Sequence, residues 1–365
     1  MIRIYYISNM FPSKTKNDNY GIFCQKVYDG LQSDEIEIPF LSCIKGKSFN
    51  KFYNAFRYFI FISDVLLKIL FRSKKFDIIY FQYVWIHVFF ASILFRFMHK
   101  RNKKIIINFH GEDLLNFVEH PYKKKFIKIL NYADLIIFPS LYYQNWLKSK
   151  FVVDEKKLFV SASGGVDREV FNYKKCNKIN RNICFCSRLV PHKGWKDFVD
   201  AISILKKHNF VINAVMIGYG PDMGALKDKI KDKKLEDIIT VKTGLTHEDI
   251  AMEYSNSELF VFPTANITES LGLVAIEAMS CGLPVIGTKI AALPEYISDG
   301  ENGFIVDVNA PMQLAEKIVH YFSLSDDEKN RISHNALETS KRYEFHTVCA
   351  ELKKKILSLF NNITK

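Results

Sequence analysis

Short apolar runs separated by longer amphipathic stretches recur along the whole chain. Runs of four to eight apolar residues read as buried strands, and apolar positions three or four apart read as helices packed on one face. In the first half this predicts a strand over 2–8, a polar loop over 11–19 and a helix opened by Gly21. A strand over 40–43 and an aromatic amphipathic helix over 52–71 follow. Residues 78–95 carry no formal charge, a length at the lower limit for a membrane span. The pattern changes midway, so they read as a strand and then a helix ending near 98. Next come a strand over 104–109, a loop from His110, a helix over 122–131, a strand over 135–139, a helix over 142–150 and a strand over 158–160. The second half repeats the alternation. Its strands start at 182, 211, 238, 259 and 284, with another inside 293–306, and its helices include 247–254, 271–279, 311–322, 326–343 and 344–363. Such alternation predicts an α/β chain with doubly wound parallel sheets, whose ligands bind at the carboxyl ends of the strands.

The richest segment is FPTANITESLGLVAIEAMSCGLPVI, residues 262–286. An apolar strand closed by Pro263 leads into a polar loop, then a helix, then Cys281-Gly-Leu-Pro as a stop signal and another strand. Backbone N–H groups of Ser270, Leu271 and Gly272 lie at the helix start, where the dipole favours an anion. Glu269 and Glu277 are eight positions apart, about 12 Å of helical rise. That exceeds the roughly 5–9.5 Å of a hydrolytic carboxylate pair. The spacing suits two acids gripping hydroxyls at different parts of one long ligand with an anion between them, the layout of a nucleotide-diphosphate sugar. Capping by Glu269 with a solvated Glu277 is equally compatible with local chemistry.

Other strand ends add candidates. Gly21 opens the helix after the first strand. Phe109-His-Gly-Glu-Asp-Leu follows a strand, so His110 offers a neutral imidazole, and Glu112 or Asp113 an orienting or capping acid. Arg188 and Lys193, in SRLVPHKGW, follow a strand and precede a helix, where a fork and a point charge suit phosphate oxygens. Gly218-Tyr-Gly220 permits close backbone approach but lacks the third glycine of a dinucleotide fingerprint.

A chain of 365 residues, 48% hydrophobic, suffices for two domains. Lys plus Arg number 51 against 39 acids, a net +12. No nucleic-acid motif accompanies that charge, so nucleic acid is the weakest partner reading. The basic clusters interleave with aromatics over 45–72 and 121–126, which suits an anionic membrane surface as well as an ordinary basic exterior. Seven cysteines without regular spacing point to reduced, cytoplasmic thiols. The apolar run at the N-terminus is too short for a signal peptide. No Asp-any-Asp pair follows a strand, so nothing calls for a metal at a diphosphate.

The Glu269–Glu277 spacing, Cys281-Gly-Leu-Pro and LPEYISDGENGFIV together resemble the Glu-seven residues-Glu region of retaining GT-B glycosyltransferases of family 4, the group 1 glycosyltransferases. FHGEDL is similar to the family's His-Gly-x-Asp, VSASGGVDREVF to its Asn-Gly-Val-Asp hinge, and SRLVPHKG to its Arg-Leu-x-x-x-Lys-Gly element. The chain departs at Gly164, where the family has asparagine, at Ile22 and at Ala291-Ala292, where it often has glycines. The resemblance implies two Rossmann-like domains facing a cleft: an acceptor domain over 1–172 joined by the terminal helix 344–365, and a donor domain over 173–343. It implies retaining, metal-independent transfer from a nucleotide-diphosphate sugar to a glycan or lipid-linked glycan, in bacterial lipopolysaccharide or capsule assembly at the inner membrane face. His110, Glu269, Arg188 and Lys193 are then catalytic. Gly21, Gly218, Gly220, Thr243, Gly244, Ser270, Leu271, Gly272, Leu273 and Glu277 bind donor, and Asp113 serves the acceptor side. A nucleotide-sugar epimerase of similar architecture would consume donor without an acceptor. A non-catalytic nucleotide-sugar binding subunit would have no need of all five of His110, Arg188, Lys193, Glu269 and Glu277.

Overall fold

The computed structural model describes residues 1–13, 20–46, 48, 50–82, 95–119, 123–172 and 182–361. The chain divides into two compact units, Met1–Gly165 with His346–Lys365, and Val166–Phe345.

The first unit is built on six parallel strands, β1 (Ile2–Phe11), β2 (Ile36–Lys45), β3 (Ile78–Gln82), β4 (Lys104–Asn108), β5 (Leu135–Phe138) and β6 (Leu158–Val160), in the order β2-β1-β3-β4-β5-β6. Both faces are covered, so the central strands read as unbroken apolar runs. Tyr5, Ile7, Ile79 and Ile105 point to one side, where Phe61, Val65 and Ile69 of helix Lys51–Arg72 pack. Ile4, Tyr6, Ile78 and Ile106 point to the other, where they meet Val27 and Leu31 of helix Ile22–Leu31 and Leu352 and Ile356 of helix Phe345–Asn361.

The second unit has the same plan: β7 (Asn182–Cys186), β8 (Asn213–Ile217), β9 (Ile239–Lys242), β10 (Leu259–Phe262), β11 (Val285–Thr288) and β12 (Gly303–Val306), in the order β12-β11-β10-β7-β8-β9. Trp195, Phe198 and Ile202 of helix Trp195–Lys207, together with Leu314 and Ile318 of helix Pro311–Ser323, cover one face of the sheet.

Several boundaries differ from the sequence reading. β2 begins at Ile36, not at residue 40. It is an edge strand, and its register against β1 shifts between Arg3 and Tyr5, which absorbs the exposed Pro39. The expected loop after His110 is instead helix Glu112–Glu119, with two acids in its first turn, followed by helix Lys123–Tyr132. Within 293–306 the strand Gly303–Val306 is preceded by a single 3-10 turn, Leu293–Glu295. The second unit starts at Val166 and not at residue 173. The Val166 N–H donates to the Tyr343 carbonyl (2.7 Å), and the Phe345 N–H donates to that of Val166 (2.9 Å). The Ser280 hydroxyl donates to the Phe171 carbonyl (2.6 Å). The predicted loop over 14–19, most of the helix expected to end near 98, Pro121 and Tyr122 of one basic cluster, and the basic stretch 173–181 lie outside the described residues. No helix among the described residues is long and apolar enough to cross a membrane.

Leu352 is 1% exposed. Leu352→Ala is therefore expected to lower unfolding free energy by about 2–5 kcal/mol. Denaturant titration checks this, and a loss below about 0.5 kcal/mol would show that the terminal helix does not complete this core.

Candidate active site

In the second unit the chain runs outward from β7 to β8 and β9, then returns to place β10 on the other side of β7. Adjacent strands whose following loops diverge leave a crevice at their carboxyl ends, which is where open α/β sheets bind ligands. Here the loops after β7 and β10 touch. The Ala265 N–H donates to the His192 carbonyl (2.9 Å), and the Thr264 hydroxyl donates to the same oxygen (3.2 Å). Gly194 is at φ 73°, and a Cβ there would lie 1.8 Å from the Pro263 carbonyl oxygen, so only glycine fits.

This contact brings Lys193 to Glu269. Their Nζ and Oε2 atoms are 2.5 Å apart, with side chains 19% and 9% exposed. The Thr264 hydroxyl lies 3.4 Å from the same Oε2. The Lys193 ammonium is 5.8 Å from the Phe262 ring centroid. Two opposite charges thus stand beside a threonine and an aromatic ring where the loops after β7 and β10 meet.

The helix Leu273–Ser280 begins beside them. Its N-cap is Gly272 in the left-handed conformation, with no side-chain cap and no acid in the first turn. Its amino end therefore presents N–H groups and a partial positive charge to whatever occupies the loop. Tyr296 donates its hydroxyl to the Leu271 carbonyl (2.9 Å), which fixes the approach to that end. Glu277 is half-buried in the helix. Burial pushes the Cys186 thiol at the end of β7 up to about 12, and the Glu277 charge adds to the effect.

Arg188 is exposed at the end of β7, on the loop that carries Lys193. Gly218 and Gly220 follow β8 and pack on that same loop. A Cβ at Gly218 would fall 2.0 Å from the Ser187 carbonyl oxygen, and one at Gly220 would fall 2.2 Å from that of Leu189. Thr243 and Gly244 are exposed after β9, the far edge strand, and a Cβ on Gly244 would meet nothing within 4 Å. Lys193 and Glu269 are therefore brought together beside the 270–273 helix start, Arg188 shares the loop of Lys193, Gly218 and Gly220 pack on that loop, Glu277 lies further along the helix, and Thr243 and Gly244 follow the far edge strand. Sequence reasoning missed Gly194, Thr264 and Tyr296. Gly194 stands in the quoted SRLVPHKG and Thr264 in the loop that follows Pro263, so both had a signal, while Tyr296 becomes visible only through tertiary contact.

In the first unit the order reverses between β1 and β3. Gly21, at φ 77°, opens the helix after β1, where a Cβ would be 2.6 Å from the Phe11 nitrogen. His110 follows β4, with its ring 4.5 Å from that of Phe23. Burial pushes the imidazole down to about 3, so it is neutral at physiological pH. The carboxylate of Asp113 is fully buried and accepts the N–H groups of His110 (2.8 Å) and Leu114 (3.0 Å). That carboxylate therefore fixes the loop that carries the histidine. Among the described residues no group of three His, Cys, Asp or Glu side chains is placed to hold a metal.

Comparison with known proteins bears on this geometry. The family profile described as glycosyl transferases group 1 matches residues 168–339, and that of glycosyltransferase family 4 matches residues 20–169. A D-inositol 3-phosphate glycosyltransferase of Paenarthrobacter aurescens is 32% identical over 183 residues, 47% of this chain and 44% of that protein. An amylovoran biosynthesis glycosyltransferase of Erwinia amylovora is 26% identical over 219 residues, 58% of this chain and 53% of that one. The chain thus spans about half the length of each of these curated relatives. The Anabaena protein HepE, solved with UDP, shares the backbone arrangement at a TM-score of 0.75 and 16% identity, over 98% of this chain and all of that one. The fold is accordingly of the two-domain GT-B type.

Two measurements probe the local geometry. Gly194→Ala is expected to lower the melting temperature of the second unit by several degrees, at about 2–4 °C per kcal/mol. An unchanged melting temperature would contradict the loop contact. For His110, the folded form resists protonation while the unfolded form titrates near its ordinary value. Its contribution to stability is complete above about pH 6.5 and is lost as pH falls toward 3, at up to about 1.4 kcal/mol per pH unit. Denaturant titrations from neutral to mildly acid pH should show this slope in the parent, and His110→Gln should reduce it.

Proposed function

The chain belongs to the family 4 glycosyltransferases of group 1, and we propose that it moves a sugar from a UDP- or GDP-sugar to a hydroxyl of a glycan or lipid-linked glycan with retention of anomeric configuration. The observation that carries this reading is the Lys193–Glu269 pair, held 2.5 Å apart beside the amino end of helix Leu273–Ser280. Departure of a nucleoside diphosphate leaves negative charge on the phosphates. A lysine, an arginine on the same loop and a helix amino terminus provide positive charge where that anion forms.

In this reading Lys193 and Arg188 neutralise the leaving diphosphate. Glu269 and the backbone from Ser270 through Leu273 hold donor sugar and phosphate, and Glu277 accepts hydrogen bonds from the ribose hydroxyls. Gly218 and Gly220 shape the wall beside the nucleotide, and Thr243 and Gly244 flank its base. In the first unit Gly21 admits the phosphates and His110 hydrogen-bonds the donor sugar as a neutral imidazole. Asp113 acts for the acceptor by fixing that loop. Retention follows if the leaving phosphate deprotonates the acceptor hydroxyl on the face from which it departs, with no metal required. The relative named for amylovoran biosynthesis supports a role in assembling a bacterial surface polysaccharide. We place the reaction in the cytoplasm, at the inner membrane face where lipid-linked acceptors are presented.

Lys193→Ala is expected to lower acceptor-dependent nucleotide release by about 10²–10³, and Glu277→Ala to lower it as well. Thermal melting run alongside separates lost chemistry from lost fold. Full activity in both variants, or equal donor consumption with and without acceptor, would overturn the assignment.

A further inference from the structure

Helix Lys51–Arg72 is apolar on two opposite faces. Phe61, Val65 and Ile69, four apart, pack into the core of the first unit. The opposite face carries Phe52, Phe56, Phe59, Ile60, Leu67 and Leu70, and all six are exposed, Phe52 at 90% and Phe59 at 69%. The helix cannot roll to hide them. The Lys68 ammonium donates to the Leu41 carbonyl (3.0 Å) and to Asp64 Oδ2 (2.7 Å), and the Arg57 guanidinium donates to the Gly46 carbonyl (2.8 Å). These contacts fix the outward face. A cluster of this size is a docking surface, since soluble proteins rarely leave so many large apolar side chains together in water.

We propose that this face lies in the interface of an anionic lipid membrane, with the helix parallel to the surface. Charge selects the partner. Between Lys45 and Phe76 the one acidic residue is Asp64, against eight lysines and arginines. Of these, Lys51, Arg72, Lys74 and Lys75 are exposed at the two ends of the face. Phenylalanine and leucine rimmed by lysine is the composition of interfacial helices, whereas lysine is depleted from protein–protein interfaces. The face runs along a helix of about 33 Å, long enough for a broad contact, while its inner side remains in the core. The proposal deepens the membrane placement in the transferase reading by naming the surface that makes the contact, and because its test needs neither sugar nor nucleotide, its failure is distinguishable from failure of that reading.

The test is co-sedimentation of the full chain with vesicles of phosphatidylcholine alone and of three parts phosphatidylcholine to one part phosphatidylglycerol. The parent should bind the anionic vesicles and release them in high salt. The triple variant Phe52→Ser, Phe56→Ser, Phe59→Ser should lose at least tenfold in partitioning. Lys74→Gln with Lys75→Gln should lose about fivefold per removed charge. All variants should melt at the parent temperature, because the changed side chains are exposed. Equal binding to both vesicle types, no binding to either, or undiminished binding by the triple variant would overturn the proposal. So would a lipid-free dimer of the parent that the triple variant converts to monomer, since the face would then belong to a second copy.

Discussion

An ammonium and a carboxylate drawn from loops that follow different strands set the geometry at the strand ends of the second unit. Lys193 and Glu269 are each largely shielded from water, and bringing two charges out of water costs about as much as their attraction returns. Such a pair is a poor device for stability. It is a good device for placing charge at a fixed point, and that point is where the strand order of the second sheet reverses. The topology brings the two loops together, and the pair places opposite charges where they meet.

The rest of the second unit positions that pair. The contact of Gly194 on the Pro263 carbonyl and the hydrogen bonds to the His192 carbonyl bind the two loops edge to edge. Gly218 and Gly220 press the next loop against Ser187 and Leu189, so these glycines serve backbone packing as well as any ligand. The first unit offers a different environment at its own strand ends. Its histidine is kept neutral by burial, and its loop is held through the buried carboxylate of Asp113. A charged pair and a neutral imidazole thus stand in separate units of the chain.

Much of this was legible in the residues. Strands with both faces covered are continuous apolar runs, and Leu259–Phe262 or Leu135–Phe138 can hardly be read otherwise. The candidate loops were legible because parallel sheets put ligands at carboxyl ends, so each strand end named its own candidates. What escaped was tertiary. β2 was read short because Pro39 interrupts it, and only its place at the sheet edge makes that proline tolerable. Helix Glu112–Glu119 was hidden because Glu112 and Asp113 read as caps when they form its first turn. The boundary was placed at the basic stretch after Asn172, whereas hydrogen bonds between Val166 and the 343–345 segment draw the preceding residues into the second unit. Periodicity marked helix Lys51–Arg72 as amphipathic, but showed neither that its outer face is as apolar as its inner one nor that hydrogen bonds from Lys68 and Arg57 to the Leu41 and Gly46 carbonyls hold it in place.

The most direct measurement of the central claim is the response of backbone amides to nucleoside diphosphates, recorded by NMR on isotope-labelled protein with UDP and GDP added in turn. One of the two should shift the amides of Gly194 and of Ser270 through Leu273 together, saturating at a common concentration. If neither moves those amides, or if the shifts fall elsewhere, the crevice at the Lys193–Glu269 pair is not where the diphosphate is held.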